Sequence, residues 1–299
     1  MTTTTIDIAR LDGGHINLTA QQLDDLDSRI AGRLLRAGDD GWDDALLVWN
    51  GMTAKVPALV LQPASAHDVA VAVGFARDHG LLLSIKGGGH DLAGTSIAGR
   101  GLTLDLSRMR HISVDPDARL AHVGPGCLLK DLDQATQAHG LATVLGFISE
   151  VGVAGLTLGG GLGYLTRRFG WTVDNLLEVE IVTADGQIRT ASRDQHAELY
   201  WAVRGAGANL GVVAIADGGR RAGGVRDLAV AAAEHQDLDE LVKDHPVGDP
   251  PPVAAQGMVG VVGALLGQQR TELVPERGDE PGWKGRREFS TDQEASTPS

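Results

Sequence analysis

Six of the twelve residues from Gly152 to Gly163 are glycine, yet the segment also carries Val153, Leu156, Leu158 and Leu162. Flexible linkers are polar, so four apolar side chains argue against one. Glycine at this density suits backbone that must lie flat against a large ligand, or a helix packed closely on a sheet. A second run, Lys86-Gly87-Gly88-Gly89-His90, directly follows the buried-looking Leu81-Leu82-Leu83-Ser84-Ile85. Three consecutive glycines let the backbone approach a ligand, and successive N–H groups in such a loop can converge on an anion such as a pyrophosphate. Taken alone, the run fits a plain tight turn with an exposed histidine equally well.

A third run, Gly205-Ala206-Gly207-Ala208-Asn209-Leu210-Gly211, has the outline of a dinucleotide fingerprint. That motif follows a strand and opens a helix. Here it precedes the strand-like Val212-Val213-Ala214-Ile215. A Rossmann-type NAD site therefore fails on context, and a glycine-rich turn into a strand is preferred.

Between these runs, short apolar stretches alternate with helical patterns. Ala58–Leu61 reads as a strand ended by Pro63, and Ser65 caps a helix from Ala66 to about His79. With Leu81–Ile85 this makes a β-α-β unit, which implies parallel strands. Further strands are expected at 102–106, 112–114, 120–123, 179–183 and 211–216. A helix is expected from Lys130 to His139, closed by Gly140, and a short one from Leu199 to Arg204. Ala184-Asp185-Gly186-Gln187 reads as a hairpin turn of the Asp-Gly kind. Residues 1–52 read as a helical leader, with a helix start at Leu18-Thr19-Ala20 and helical spacing through Leu34 and Leu35. Asp39, Asp40, Asp43 and Asp44 around Trp42 read as a solvated turn, because no further ligand pattern accompanies them.

The net charge of -13 argues against nucleic acid or an anionic membrane as the main partner. A single cysteine, Cys127, excludes a disulfide within the chain. No basic-then-apolar start marks a secretory signal, and Val253–Gly267 is too short and glycine-rich to span a bilayer, so a cytoplasmic location is the default expectation. The ten histidines show no metal-ligand spacing, and no metal site is expected.

Six segments in order carry a resemblance: Lys86–Asp91, Leu104-Asp105-Leu106-Ser107-Arg108-Met109-Arg110, Val151–Gly163, Trp171-Thr172-Val173-Asp174-Asn175, Val182-Thr183-Ala184-Asp185-Gly186 and Leu199-Tyr200-Trp201-Ala202-Val203-Arg204-Gly205. Together they resemble the berberine-bridge-enzyme-like FAD-linked oxidoreductases of the vanillyl-alcohol-oxidase/PCMH superfamily, over about Pro57 to Val213. The resemblance implies an α+β fold, in which residues 53–216 form a PCMH-type FAD-binding domain of two α/β subdomains. It implies an FAD cofactor, a small-molecule substrate and O2 as acceptor. Lys86, Gly87, Gly88, Gly89, His90 and Asp91 would form the pyrophosphate loop, with His90 bonded to the flavin's 8α-methyl carbon. Gly152, Val153, Gly155, Thr157, Gly160 and Gly161 would line the cofactor's second side. Asn175, Ile181 and Val182 would lie near the adenosine half. Doubly linked members add a cysteine at the position of Ile148, so a single link is expected here, and Cys127 reads as a small buried or half-buried thiol.

Family members continue into a substrate domain, which is unrecognisable here and expected to be missing. Asp217-Gly218-Gly219-Arg220-Arg221 breaks the pattern, and residues 217–299 read as an atypical tail, disordered or frameshift-derived. Within it, helical patterning covers about Leu228 to Val242. No catalytic base can be named; Glu150 and Tyr164 lie beside the cofactor segment without support for that role. A truncated FAD-binding module without activity of its own is the alternative to an active oxidoreductase.

Overall fold

Thr5-Ile6-Asp7-Ile8-Ala9 alternates polar and apolar residues, the period of a strand rather than a helix. The computed structural model, which describes residues 5–53, 55–214, 228–231 and 233–234, makes it β1 (Thr5–Ala9), paired antiparallel with β2 (His15–Thr19). Helix α1 (Ala20–Ser28) follows at once. Its start matches the expected one: the Thr19 hydroxyl accepts from the Gln22 N–H, and the Gln22 side chain accepts from the Thr19 N–H. The expected continuation through Leu34 and Leu35 does not occur. Residues Arg33–Leu35 are β3, because pairing with β4 (Leu59–Gln62) outweighs the helical spacing. The leader is therefore a hairpin, a helix and an edge strand. Ile8, Leu18, Leu23 and Leu26 all lie in the first core. The acidic cluster is a turn entering α2 (Trp42–Ala45), in which Asp39 accepts from the Arg36 N–H.

Helix α3 (Ala66–His79) begins where expected, with the Ser65 hydroxyl accepting from the Asp68 N–H, and ends on Gly80 at φ 63°. Strands β5 (Leu83–Lys86) and β6 (Leu102–Asp105) complete a sheet ordered β3-β4-β6-β5. Strands β4 and β5 run parallel as the β-α-β pattern requires, but β6 lies between them and is parallel to both.

The second half is antiparallel. Strands β7 (Ile112–Asp115) and β8 (Leu120–Val123) lead into α4 (Leu129–Gln137) and β9 (Leu141–Ala142). The glycine-dense segment forms α5 (Val153–Leu158), followed by α6 (Thr166–Phe169). Strand β10 (Leu176–Val182) turns into β11 (Ile188–Ser192), and α7 (Ala197–Ala206) precedes β12 (Val212–Val213). The hairpin loop holds the expected Asp-Gly pair, with Gly186 at φ 79°. There Asp185 accepts from the Thr183 hydroxyl, the Gln187 N–H and Arg189, which holds its carboxyl at about 2. The third glycine run is the expected turn into a strand.

Strands β13 (Leu228–Ala231) and β14 (Ala233–Glu234) revise the reading of the tail. The expected helix over 228–242 is strand wherever residues are described. β13 fills the space between β10 and β8 in the order β11-β10-β13-β8-β7, and β14 pairs with β9. Open strand edges need partners, and that demand overrides local helical spacing. The rest of the expected tail, with Val253–Gly267, lies outside the described residues. Among those described, no helix is long and apolar enough to cross a membrane.

Each sheet carries its own core. One gathers Leu59, Leu61, Val69, Phe75, Leu102 and Leu104; the other gathers Leu132, Val153, Leu176, Val179, Ile181 and Tyr200. β10 serves both, because successive side chains on a strand point to opposite faces. Val179 and Ile181 enter the second core, whereas Val182 enters the first.

One buried carboxylate ties the leader to the first sheet. Asp68 is 1% exposed and accepts from the N–H groups of Ala31, Gly32 and Ala64 at 3.1, 2.9 and 2.8 Å. Asp68→Ala would leave three donors without an acceptor, each worth about 1–3 kcal/mol. We expect a loss of about 3–5 kcal/mol in denaturant unfolding; a loss below about 1 kcal/mol would show that the leader is not held this way.

Candidate functional site

Strands β5 and β6 end at the same edge of the parallel sheet, and the 86–90 loop leaves from there. The loop is pinned from within. Lys86 is 5% exposed, and its ammonium donates to Ala45 O at 2.8 Å and stands 3.7 Å from Asp105 Oδ1. It therefore serves the interior, not the loop's outer face. Gly89 is buried at φ 65°, a conformation that favours glycine. The N–H groups of Gly88, Gly89 and His90 donate to no acceptor among the described residues.

Gly88 meets Gly152. A Cβ built on Gly152 would stand 2.6 Å from Gly88 N, and one on Gly88 would overlap Gly152 N and Cα. Gly152 is held from behind, because Leu129 N–H donates to Val151 O and Val153 N–H to Cys127 O, both at 2.9 Å. The two glycine runs, 64 residues apart in sequence, thus touch backbone to backbone across the two subdomains. Gly155, three residues into α5, is exposed and faces open space: an added Cβ would meet nothing within 4 Å. A glycine inside a helix with no steric need for one points to a role beyond the chain's own packing. Gly160 and Gly161 take φ 108° and 75°, and a Cβ on Gly161 would collide with Thr172.

The other expected site residues are buried or half-buried. Val153, Ile181 and Val182 are fully buried in the cores. The Thr157 hydroxyl donates to Val153 O at 2.8 Å. The Asn175 amide donates to Phe169 O and Trp171 O. Asp91 folds the chain after the loop, accepting from Ala93 N–H, Ser96 N–H and the Thr95 hydroxyl. Partial burial pushes its carboxyl up, but the hydrogen bonds from Ser96, Thr95 and Ala93 outweigh it and hold the group below its ordinary value. Cys127 is fully buried, as expected, with its thiol 3.4 Å from His111 O.

Two features lay outside the sequence reading. The Trp49 indole stacks on the His90 imidazole, with ring centroids 5.1 Å apart and planes 23° apart. Trp49 lies 41 residues before His90, in a segment without periodicity, so only the fold could join them. The second is an apolar rim after β9, where Phe147, Ile148 and Tyr164 are 56%, 50% and 82% exposed and the Phe147 and Tyr164 rings meet edge to face at 4.8 Å. Phe147 and Tyr164 also line a cavity of about 330 Å³.

Residues 57–192 match the family model of the FAD binding domain. Over those residues the chain carries the FAD binding domain of that family. It is 40% identical over 184 residues to (R)-6-hydroxynicotine oxidase of Paenarthrobacter nicotinovorans, a match that covers 62% of this chain and 40% of that protein. Among solved structures, the BBE-like 1 protein of Physcomitrella patens superposes with a TM-score of 0.63 at 30% identity, covering 71% of this chain and 44% of that one. Glucooligosaccharide oxidase of Acremonium strictum, described with a 6-S-cysteinyl, 8α-N1-histidyl FAD, gives 0.59 at 30% identity, with 70% and 42% covered. The FAD-binding domain thus accounts for the mixed α/β fold, and the chain spans about two-fifths of these relatives.

The cradle suits FAD: three N–H groups without an acceptor among the described residues, a histidine at the loop's end, and glycines where side chains would intrude. Two alanine substitutions separate fold from ligand space. In FAD-free protein, Gly152→Ala should cost about 1–3 kcal/mol, because backbone must move. Gly155→Ala should stabilise by up to about 1 kcal/mol. Chemical unfolding checks both; an unchanged Gly152→Ala would contradict the backbone contact.

Proposed function

We propose that this chain binds FAD covalently through His90 and serves the oxidation of an alcohol or similar carbon centre in a small molecule, with O2 as acceptor. The observation that carries the reading is the glycine-to-glycine contact of Gly88 with Gly152, flanked by the unpartnered N–H groups and the His90 ring. FAD, when bound, supplies a ring that takes a hydride from carbon and passes the electrons to O2. The N–H groups of Gly88, Gly89 and His90 would hold the pyrophosphate, since convergent backbone donors bind anions. Gly155 would leave room for the cofactor on the opposite side. His90 would anchor it, as the histidyl link does in the Acremonium oxidase. That protein's second, cysteinyl link would have no counterpart here: the family resemblance puts Ile148 at its position, and Cys127 is fully buried.

A second reading is an FAD-binding module that does not turn over substrate alone. The exposed rim of Phe147, Ile148 and Tyr164 favours it, because among the described residues no element covers it. Both readings require bound FAD, and the first adds the covalent link. Purified protein denatured in acid should keep its yellow colour and flavin fluorescence, and His90→Ala should release the flavin while still binding it before denaturation. Complete release from the native sequence would refute the covalent reading. Bleaching by alcohols, sugars or amines would then decide between oxidase and module.

A further inference from the structure

Half-exposed tryptophans are unusual places to leave so much apolar surface. Trp49 is 55% exposed, yet it is fixed. Its backbone N–H donates to Gly89 O at 2.8 Å, and the neighbouring Asn50 side-chain amide donates to Leu92 O at 2.7 Å. On the other side, the Lys86 ammonium donates to Ala45 O at 2.8 Å. The 45–50 segment is therefore strapped along the 86–92 loop at three points. Beyond the loop, Asp91 pins the chain through Ala93, Thr95 and Ser96. The His90 backbone is held from both sides, which leaves only its side-chain torsions to place the ring, and the stacked indole is what constrains them.

We propose that Trp49 is a positioning residue for His90: its indole fixes the plane of the imidazole so that a ring nitrogen meets the flavin's 8α carbon. This rests on the reading of His90 as the attachment point. In that attachment, an imidazole N–H gives way to a bond between nitrogen and the 8α carbon, and one 8α C–H is lost. Both protons are released, and the electron pair of the C–H bond stays on the flavin as a two-electron reduction. O2 takes up that pair with two protons to give hydrogen peroxide, which restores the oxidised ring. Nothing in these steps needs Trp49 as an acid, base or electron carrier. Its contribution is geometric, and misplacing one reacting atom by about 1 Å costs up to about a hundredfold in rate.

The test uses the full chain, produced flavin-free and then mixed with FAD. Covalent incorporation is followed over time by fluorescence of the denatured protein. Trp49→Leu keeps an apolar side chain but removes the ring; Trp49→Phe keeps a ring. Trp49→Leu should slow incorporation roughly ten- to hundredfold, with non-covalent FAD affinity within about threefold of the native chain, and Trp49→Phe should restore most of the rate. In the flavin-free proteins, the His90 ring protons should show an upfield ring-current shift that Trp49→Leu abolishes. A native rate in Trp49→Leu, or no change in the His90 proton shifts, overturns the role of Trp49 alone. A native chain that binds FAD but never forms the bond overturns the attachment reading, and this role with it.

Discussion

The close approach of Gly88 to Gly152 is the contact on which the rest of the site depends. No side chain fits at either position, because an added Cβ would reach the other glycine's backbone. The contact joins a loop from the parallel sheet to a segment anchored on α4, and so brings the edges of two separately cored subdomains together. It also explains why glycine occurs in both runs: each needs the other to be small. What remains at the seam is backbone, with N–H groups that have no acceptor among the described residues and His90 at its end. A phosphate-rich cofactor is what such a surface can hold.

Around the seam, structural residues do the holding so that the glycines can stay bare. Lys86 and Asp105 pin the loop from inside, Asp91 turns the chain after it, and Asp68 fastens the leader to the same sheet. β10 closes the arrangement, giving Val182 to one core and Ile181 to the other. Val153, Thr157 and Ile181, expected at the cofactor from the family resemblance, have their side chains buried within this packing. They are near the site in sequence because the elements that shape it are.

Local signals carried much of this. Ser65 marked α3 to the residue, Thr19 marked α1, and the glycine runs marked the seam. What stayed hidden depended on distant pairing. β3 carries helical spacing, and only β4 beside it makes it a strand. β13 fills a gap between β10 and β8 that no local pattern reveals. Trp49 reaches His90 only because the strap folds across the loop. Asp68 lies in the first turn of α3, and its three backbone donors come from two separate turns, which no local pattern reveals.

The most direct measurement is amide hydrogen exchange across residues 87–91, with and without FAD. Without the cofactor, the N–H groups of Gly88, Gly89 and His90 have no partner in the described chain and should exchange quickly even though Gly89 is buried. With FAD bound they should become strongly protected, while the amides of β5 and β6 change little. Equal exchange in the two states would contradict the account, because the glycine seam would then not be the surface that holds the cofactor.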